Sequence, residues 1–108
     1  MDLLDKIQGN NYYLIDFYAN WCAPCQLQLQ FLENLKEKFP DNVEIIKIDV
    51  DKDKVSTIQF DAKYQVNGVP TLMLFHQGKL LWKNYGVKFE DDLQEIVKQF
   101  LGNIQKTV

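Results

Sequence analysis

The pentapeptide Trp21-Cys22-Ala23-Pro24-Cys25 constrains this chain more than any other feature, because it holds both cysteines of the 108 residues. It follows the largely apolar run Tyr12 to Tyr18, which is typical of a strand covered on both faces. Pro24 suits the first turn of a helix, so the cysteines are predicted to lie where a strand ends and a helix begins. Free N–H groups and the positive end of the helix dipole stabilise a thiolate there. A thiolate with a second thiol beside it favours thiol–disulfide exchange as the chemistry.

Length and charge narrow the possible classes of protein. We expect residues 1–108 to form one domain, since the chain is long enough for a single core and too short for two ordinary domains. We also expect a monomer. The net charge of −3 leaves no basic footprint, so no nucleic-acid partner is expected. No stretch approaches the ~18 consecutive apolar residues of a membrane span. The charged segment Met1 to Ile7 lacks the apolar core of a signal peptide, so we expect a cytoplasmic protein with no membrane partner.

Turn residues divide the chain into alternating helices and strands. Strands are predicted at 12–18, 43–50, 71–76 and 79–85, and helices at 2–8, from Ala23 or Pro24 to Pro40, from a cap at Asp51 or Asp53 to about Tyr64, and from Phe89 to about Ile104. The helix after the cysteines has a predicted core-facing stripe of Leu27, Phe31, Leu32, Leu35 and Phe39. This order predicts an α/β fold, a three-layer α/β/α sandwich with two parallel βα units and an antiparallel hairpin.

The sequence resembles the thioredoxin family from about Tyr12 to the last helix. The resemblance rests on motifs in the family's order and spacing, which are residues 16–25, 47–51 and 64–71 together with Gly78 and Gly86. A thioredoxin fold is implied, and with it a protein disulfide reductase that binds no cofactor itself. Its implied partners are protein disulfide substrates and an NADPH-dependent flavoenzyme, thioredoxin reductase.

Three features of the sequence depart from the family's pattern. Ala23 stands where the family usually has glycine, between the first cysteine and the proline, and Gln30 stands near the position of a proline that kinks the helix. The chain before the cysteines is also shorter than usual. An edge strand pairs on one side only and is the easiest to lose. We therefore expect a mixed sheet of four strands without the N-terminal edge strand, with 12–18 and 71–76 central and 79–85 at an edge.

Four residues are candidates for the thiol chemistry. Cys22 is the candidate nucleophile, and Cys25, one helical turn further in, is the candidate resolving thiol. By resemblance, Asp16 is a buried acid behind Cys25, with Lys47 nearby. Burial would raise the pKa of Asp16, so that it could exchange protons near neutral pH.

The resemblance also implies a surface that receives the substrate chain. The Val69–Pro70 peptide bond is expected to be cis and to aim the Val69 backbone at the substrate. A flat apolar surface around Cys22 would accept many partners, since it demands shape and backbone pairing rather than specific charges. Its candidate residues are Trp21, Ala23, Pro24, Val69, Pro70 and Gly86.

Other functions compete with the reductase. A zinc half-site would have only His76 and carboxylates beside the two cysteines, and we expect no metal. An iron–sulfur dimer bridged by the cysteine pair is a further alternative. A scaffold module with vestigial cysteines is disfavoured by the intact Trp21, Asp16 and Pro70. A specialised oxidant or isomerase usually has a different dipeptide, and a glutaredoxin lacks the tryptophan-led motif.

Overall fold

The structure is a computed structural model that describes residues 2–105. Its elements in chain order are α1 (Leu3–Lys6), β1 (Tyr12–Tyr18), α2 (Ala23–Lys38), β2 (Val43–Asp49), α3 (Lys54–Tyr64), β3 (Thr71–His76), β4 (Lys79–Tyr85) and α4 (Glu90–Gln105). The predicted order of helices and strands is confirmed, with boundaries that differ by a few residues at most. None of the helices in the described part of the chain has the length and apolarity that a membrane crossing requires.

The described residues form one four-stranded mixed sheet in the order β2-β1-β3-β4. β1 runs parallel to β2 and antiparallel to β3, and β3 forms an antiparallel hairpin with β4. The predictions that β1 and β3 are central and that β4 lies at an edge are confirmed. Residues 2–11 contribute the helix α1 and no strand to this sheet, as the short N-terminal segment led us to expect.

Helices cover both faces of the sheet, so one hydrophobic core lies on each side of it. One core joins alternate residues of β1 and β3 to α2 and α4, and it includes Leu14, Leu72, Leu74, Leu32, Leu35, Leu93 and Val97. The other joins the opposite strand faces to α1 and α3, and it includes Ile15, Phe17, Met73, Phe75, Ile7 and Phe60. The central strands are therefore apolar on both faces because both faces are covered.

Capping residues explain where the two helices beside the site begin. The Cys22 sulfur caps α2, and Pro24 occupies the first turn, where its missing N–H costs no hydrogen bond. Asp53 caps α3, because its carboxylate accepts a hydrogen bond of 3.1 Å from the backbone N–H of Ser56. Asp51, the other predicted cap, lies outside the helix and has a different role.

One prediction about α2 is wrong. Leu27 was expected to face the core, but 41% of its surface is exposed, whereas the neighbouring Gln28 is fully buried. The buried stripe of this helix runs through Cys25, Gln28, Leu32 and Leu35, whose spacing of three and four residues keeps them on one face. A buried amide is tolerated here because both of its polar atoms are hydrogen-bonded to the backbone of residue 88.

Candidate active site

The two cysteines lie at the first turn of α2 and differ in exposure. They are joined in a disulfide, as their spacing allows. Cys22 is 6% exposed and Cys25 is fully buried. The backbone N–H of Cys25 donates a hydrogen bond of 3.2 Å to the Cys22 sulfur. A negative charge on Cys22 would thus be stabilised by a backbone donor and by the helix dipole, while Cys25 is shielded from solvent.

A cis peptide bond joins Val69 and Pro70 beside the dithiol, as the resemblance implied. The Val69 carbonyl oxygen lies 3.8 Å from the Cys22 sulfur, close enough to accept a hydrogen bond from a Cys22 thiol. The Pro70 carbonyl in turn accepts a hydrogen bond of 2.9 Å from the backbone N–H of Gly86. The structure therefore brings three separate segments of the chain together around Cys22.

Trp21 extends from this cluster into solvent, with 73% of its surface exposed. Its indole N–H donates a hydrogen bond of 2.9 Å to the Asp51 carboxylate, which fixes the ring beside the dithiol. Asp49 in turn accepts hydrogen bonds from the backbone N–H groups of Asp51 and Lys52, so the turn that carries Asp51 is itself held. Asp51 was one of two alternative helix caps in the sequence analysis, and its contact with Trp21, thirty residues away, was not foreseen.

An open groove of about 570 Å³ runs from Trp21 towards α3 and β4. Its lining is mostly apolar and consists of Trp21, Val50, Thr57, Ile58, Asp61, Val66, Gly68, Val69 and Tyr85. Ile58 and Tyr85 are exposed over 67% and 60% of their surfaces. Sequence reasoning missed both residues. The available signal was an isoleucine on the exposed side of α3, where a polar residue is the rule.

Two contacts from β4 hold the loop that carries Val69. The Lys83 ammonium donates to the carbonyl oxygens of Tyr64 and Gln65 at 3.0 and 3.2 Å, and so satisfies the end of α3. The Tyr85 ring packs over Gly68, where an added Cβ atom would lie 2.8 Å from a ring carbon. A side chain at this position would displace the Tyr85 ring and would be strained by the φ of +153°, so glycine is favoured here.

The predicted substrate surface is only partly continuous with this groove. Trp21 and Val69 line it, whereas Ala23 and Pro24 are exposed at the start of α2 and are not part of its lining. Pro70 is buried, and its carbonyl oxygen accepts the hydrogen bond from the Gly86 N–H. All six predicted surface residues therefore lie near the dithiol, but the structure adds a long apolar wall on the α3 side.

Asp16 is completely buried in the middle of β1. Neither carboxylate oxygen has a hydrogen-bond partner among the described residues. Burial raises the pKa of Asp16 to about 7, and the positive charge of Lys47 opposes this effect. Lys47 is the register partner of Asp16 on β2, and it is exposed.

Asp16 lies two residues before the end of β1 that leads to the dithiol. Tyr18, two residues further along β1 and on the same strand face, packs against the cluster of Cys22 and Cys25. Asp16 shares this face with α2, the helix that begins at the dithiol. Within the described residues, no three His, Cys, Asp or Glu side chains converge as a metal site would require.

A cysteine pair at the start of a helix, beside a cis proline on an α/β/α sandwich, defines the class of thiol–disulfide redox proteins. Comparisons with known proteins agree with this class. The thioredoxin family model matches residues 3–99, and the chain therefore belongs to the thioredoxin family. It is 36% identical to the thioredoxin of Bacillus subtilis (strain 168) over 88 residues, which is 82% of this chain and 81% of that protein. It is 37% identical to the thioredoxin of Chlamydia trachomatis over 86 residues, 80% of this chain and 79% of that one.

The solved structures give the same result. A mutant thioredoxin from Halobacterium salinarum NRC-1 superposes with a TM-score of 0.75 and 36% identity, covering 90% of this chain and 80% of that one. The chain is a thiol–disulfide oxidoreductase of the protein-disulfide reductase class.

Proposed function

We propose that Cys22 attacks the disulfide of a target protein and that Cys25 resolves the product. The Cys22 thiolate bonds to one target sulfur, and the other target sulfur leaves and takes up a proton. Cys25, after losing its proton, attacks the Cys22 sulfur, expels the second target thiolate and closes the Cys22–Cys25 disulfide. Two electrons pass to the target. The observation that carries this assignment is the backbone hydrogen bond to the Cys22 sulfur, combined with the complete burial of Cys25.

The groove beside Trp21 is the proposed binding site for the target chain. Its apolar walls would bury side chains that flank the target cysteine, and the Val69 backbone would pair with the target backbone. Such contacts require an accessible chain but no single sequence. The proposed substrates are therefore diverse proteins whose disulfides lie in exposed segments.

The oxidised protein must be reduced again before each new cycle. The proposed electron donor is an NADPH-dependent flavoenzyme of the thioredoxin reductase kind, and the chain itself would need no cofactor. A reductant of this kind works where a reducing pool keeps thiols free, which favours the cytoplasm. We further propose that the protein acts as a monomer, because each copy carries both cysteines and the complete groove.

Insulin reduction tests the proposed function. With dithiothreitol as the electron source, or NADPH with a purified thioredoxin reductase, the protein is expected to reduce insulin disulfides at catalytic concentration. The measurement is the turbidity of the precipitating B chain, compared with the reductant alone. A folded protein that gives no acceleration would contradict the proposal and would indicate a binding module with vestigial cysteines.

Ile58→Ser tests the groove. If a bound target partly buries the Ile58 side chain, this contact stabilises the complex by about 1 kcal/mol. Its loss would lower the rate constant for a protein target about fivefold. The Ile58→Ser variant is therefore expected to reduce insulin about fivefold more slowly at low substrate concentration. The matched control is Val55→Ser, because Val55 is 69% exposed on the same helix but lies outside the groove. Equal losses in the two variants would show that the groove does not bind the target.

A further inference from the structure

Gln28 makes a paired contact across the molecule that the proposed chemistry does not use. It lies three residues after Cys25 on the inner face of α2 and is fully buried. Its amide nitrogen donates to the Lys88 carbonyl oxygen at 3.0 Å, and its amide oxygen accepts from the Lys88 N–H at 2.7 Å. One side chain thus satisfies both backbone groups of a residue sixty positions away.

The segment that Gln28 holds leads directly from the substrate surface. Gly86 has a φ of +93°, which favours glycine, and an added Cβ atom there would meet open space. Its N–H donates to the Pro70 carbonyl at 2.9 Å, and its own carbonyl accepts from the Asn84 amide at 3.0 Å. The segment from Gly86 to Lys88 is therefore attached to the cis proline at one end and to the dithiol helix at the other.

If this position served packing alone, a buried amide would be an unfavourable side chain. A buried amide costs free energy unless its hydrogen bonds are made, whereas leucine or methionine would fill the same face of α2 at no such cost. Two hydrogen bonds to one backbone residue fix both the distance and the orientation of the segment relative to α2. An apolar contact would fix neither so closely.

We propose that Gln28 is a positioning residue that holds the Gly86–Lys88 segment at a fixed place beside the Cys22–Cys25 helix, and thereby sets the geometry of the surface that receives a protein target. The inference rests on the proposed function, since this geometry matters only if a polypeptide docks there. A small disulfide, which needs access to Cys22 alone, does not depend on it. Gln28 is thus expected to distinguish protein substrates from small ones.

Gln28→Met removes both hydrogen bonds while keeping an unbranched side chain of similar length. Its matched control is Gln30→Met, on the same helix but exposed. The reduced forms are mixed with insulin and, separately, with hydroxyethyl disulfide, and the second-order rate constants are measured by stopped flow. Gln28→Met is expected to lower the constant for insulin about tenfold, because a small misplacement of a docking surface is costly, and to leave the constant for hydroxyethyl disulfide unchanged.

Amide hydrogen exchange reports the contact itself, independently of activity. The Lys88 N–H is expected to exchange at least about tenfold faster in Gln28→Met, while the core amides of β1 and β3 keep their protection. The Gln30→Met control is expected to match the wild type in every measurement. Rate constants that fall equally for both disulfides, or an insulin constant that stays at the wild-type value, would overturn the positioning role. A wild type that reacts with hydroxyethyl disulfide but not with insulin would instead contradict the proposed function.

Discussion

Cys25→Ser is expected to turn the protein from a catalyst into a covalent trap for its targets. Cys22 keeps its hydrogen bond to the backbone N–H of residue 25, so it can still attack a target disulfide. The mixed disulfide then persists, because the thiol that would release it is gone. Turnover of insulin is expected to fall by at least about a hundredfold, since loss of one member of a catalytic pair removes most of its effect.

Cys22→Ser is the matched variant, and it is expected to trap little. The remaining thiol of Cys25 is fully buried and cannot reach a target chain. Each reduced variant is incubated with oxidised insulin, and the adducts are counted by mass spectrometry under non-reducing conditions. The double variant Cys22→Ser/Cys25→Ser supplies the background. Equal trapping by the two single variants would contradict the assigned roles of nucleophile and resolving thiol.

Much of the fold could be predicted because its signals are local. Each strand and helix is indicated by residues within or directly beside it. Examples are the apolar runs that form β1 and β3 and the turn residues that separate the elements. The element order predicted two parallel βα units and a hairpin, and the family resemblance, together with the short N-terminal segment, predicted a sheet of four strands. The dithiol was identified from two adjacent signals, a buried strand and a proline in the first helical turn.

The unforeseen features depend on contacts between distant segments. Gln28 is buried in place of Leu27 because Lys88, sixty residues away, offers it two backbone partners. Asp51 holds Trp21 across thirty residues. The sequence of α2 alone does not reveal which polar residue will be hydrogen-bonded to a distant segment. Hydrophobic periodicity predicts which face of a helix is buried, but not which residues pack against that face.

The groove was missed for a related reason. Ile58 lies on the exposed side of α3, and a single exposed apolar residue is common on protein surfaces. It gains significance only beside Tyr85, which approaches from β4 through its packing on Gly68. The family resemblance predicted the groove residues beside the dithiol, Trp21 and Val69. Only the folded structure shows that Ile58 and Tyr85 line the same groove.

The buried Asp16 is expected to make the stability of the fold depend on pH. In the unfolded chain its carboxyl group has an ordinary pKa of 3.8, and burial raises this pKa to about 7 in the fold. Between these values the folded state holds a proton that the unfolded state has lost. The free energy of unfolding therefore decreases as the pH rises from about 4 to about 7. At about 1.4 kcal/mol per pH unit, the loss amounts to about 4 kcal/mol above pH 7.

Asp16→Asn is expected to remove this loss, since an amide of the same shape does not ionise. The variant should be more stable than the wild type at pH 8, by up to about 4 kcal/mol, and nearly equal to it at pH 4. Asp49→Asn is the control. Asp49 is also largely buried, but its carboxylate accepts hydrogen bonds from two backbone N–H groups. A neutral amide oxygen would accept these bonds more weakly, so the substitution should destabilise the protein. Urea unfolding of the three proteins at both pH values provides the comparison.

The catalytic effect of Asp16→Asn is expected to run opposite to its effect on stability. We propose that the Asp16 carboxylate, whose pKa burial raises to about 7, takes the proton that Cys25 must lose before it attacks the mixed disulfide. Without it, insulin reduction should slow about tenfold or more near pH 7, and the deficit should shrink as the pH rises and Cys25 ionises unaided. A variant that gains stability and slows turnover only near neutral pH would support the proton-transfer role. One that loses stability and keeps wild-type turnover at every pH would show that Asp16 serves the fold alone.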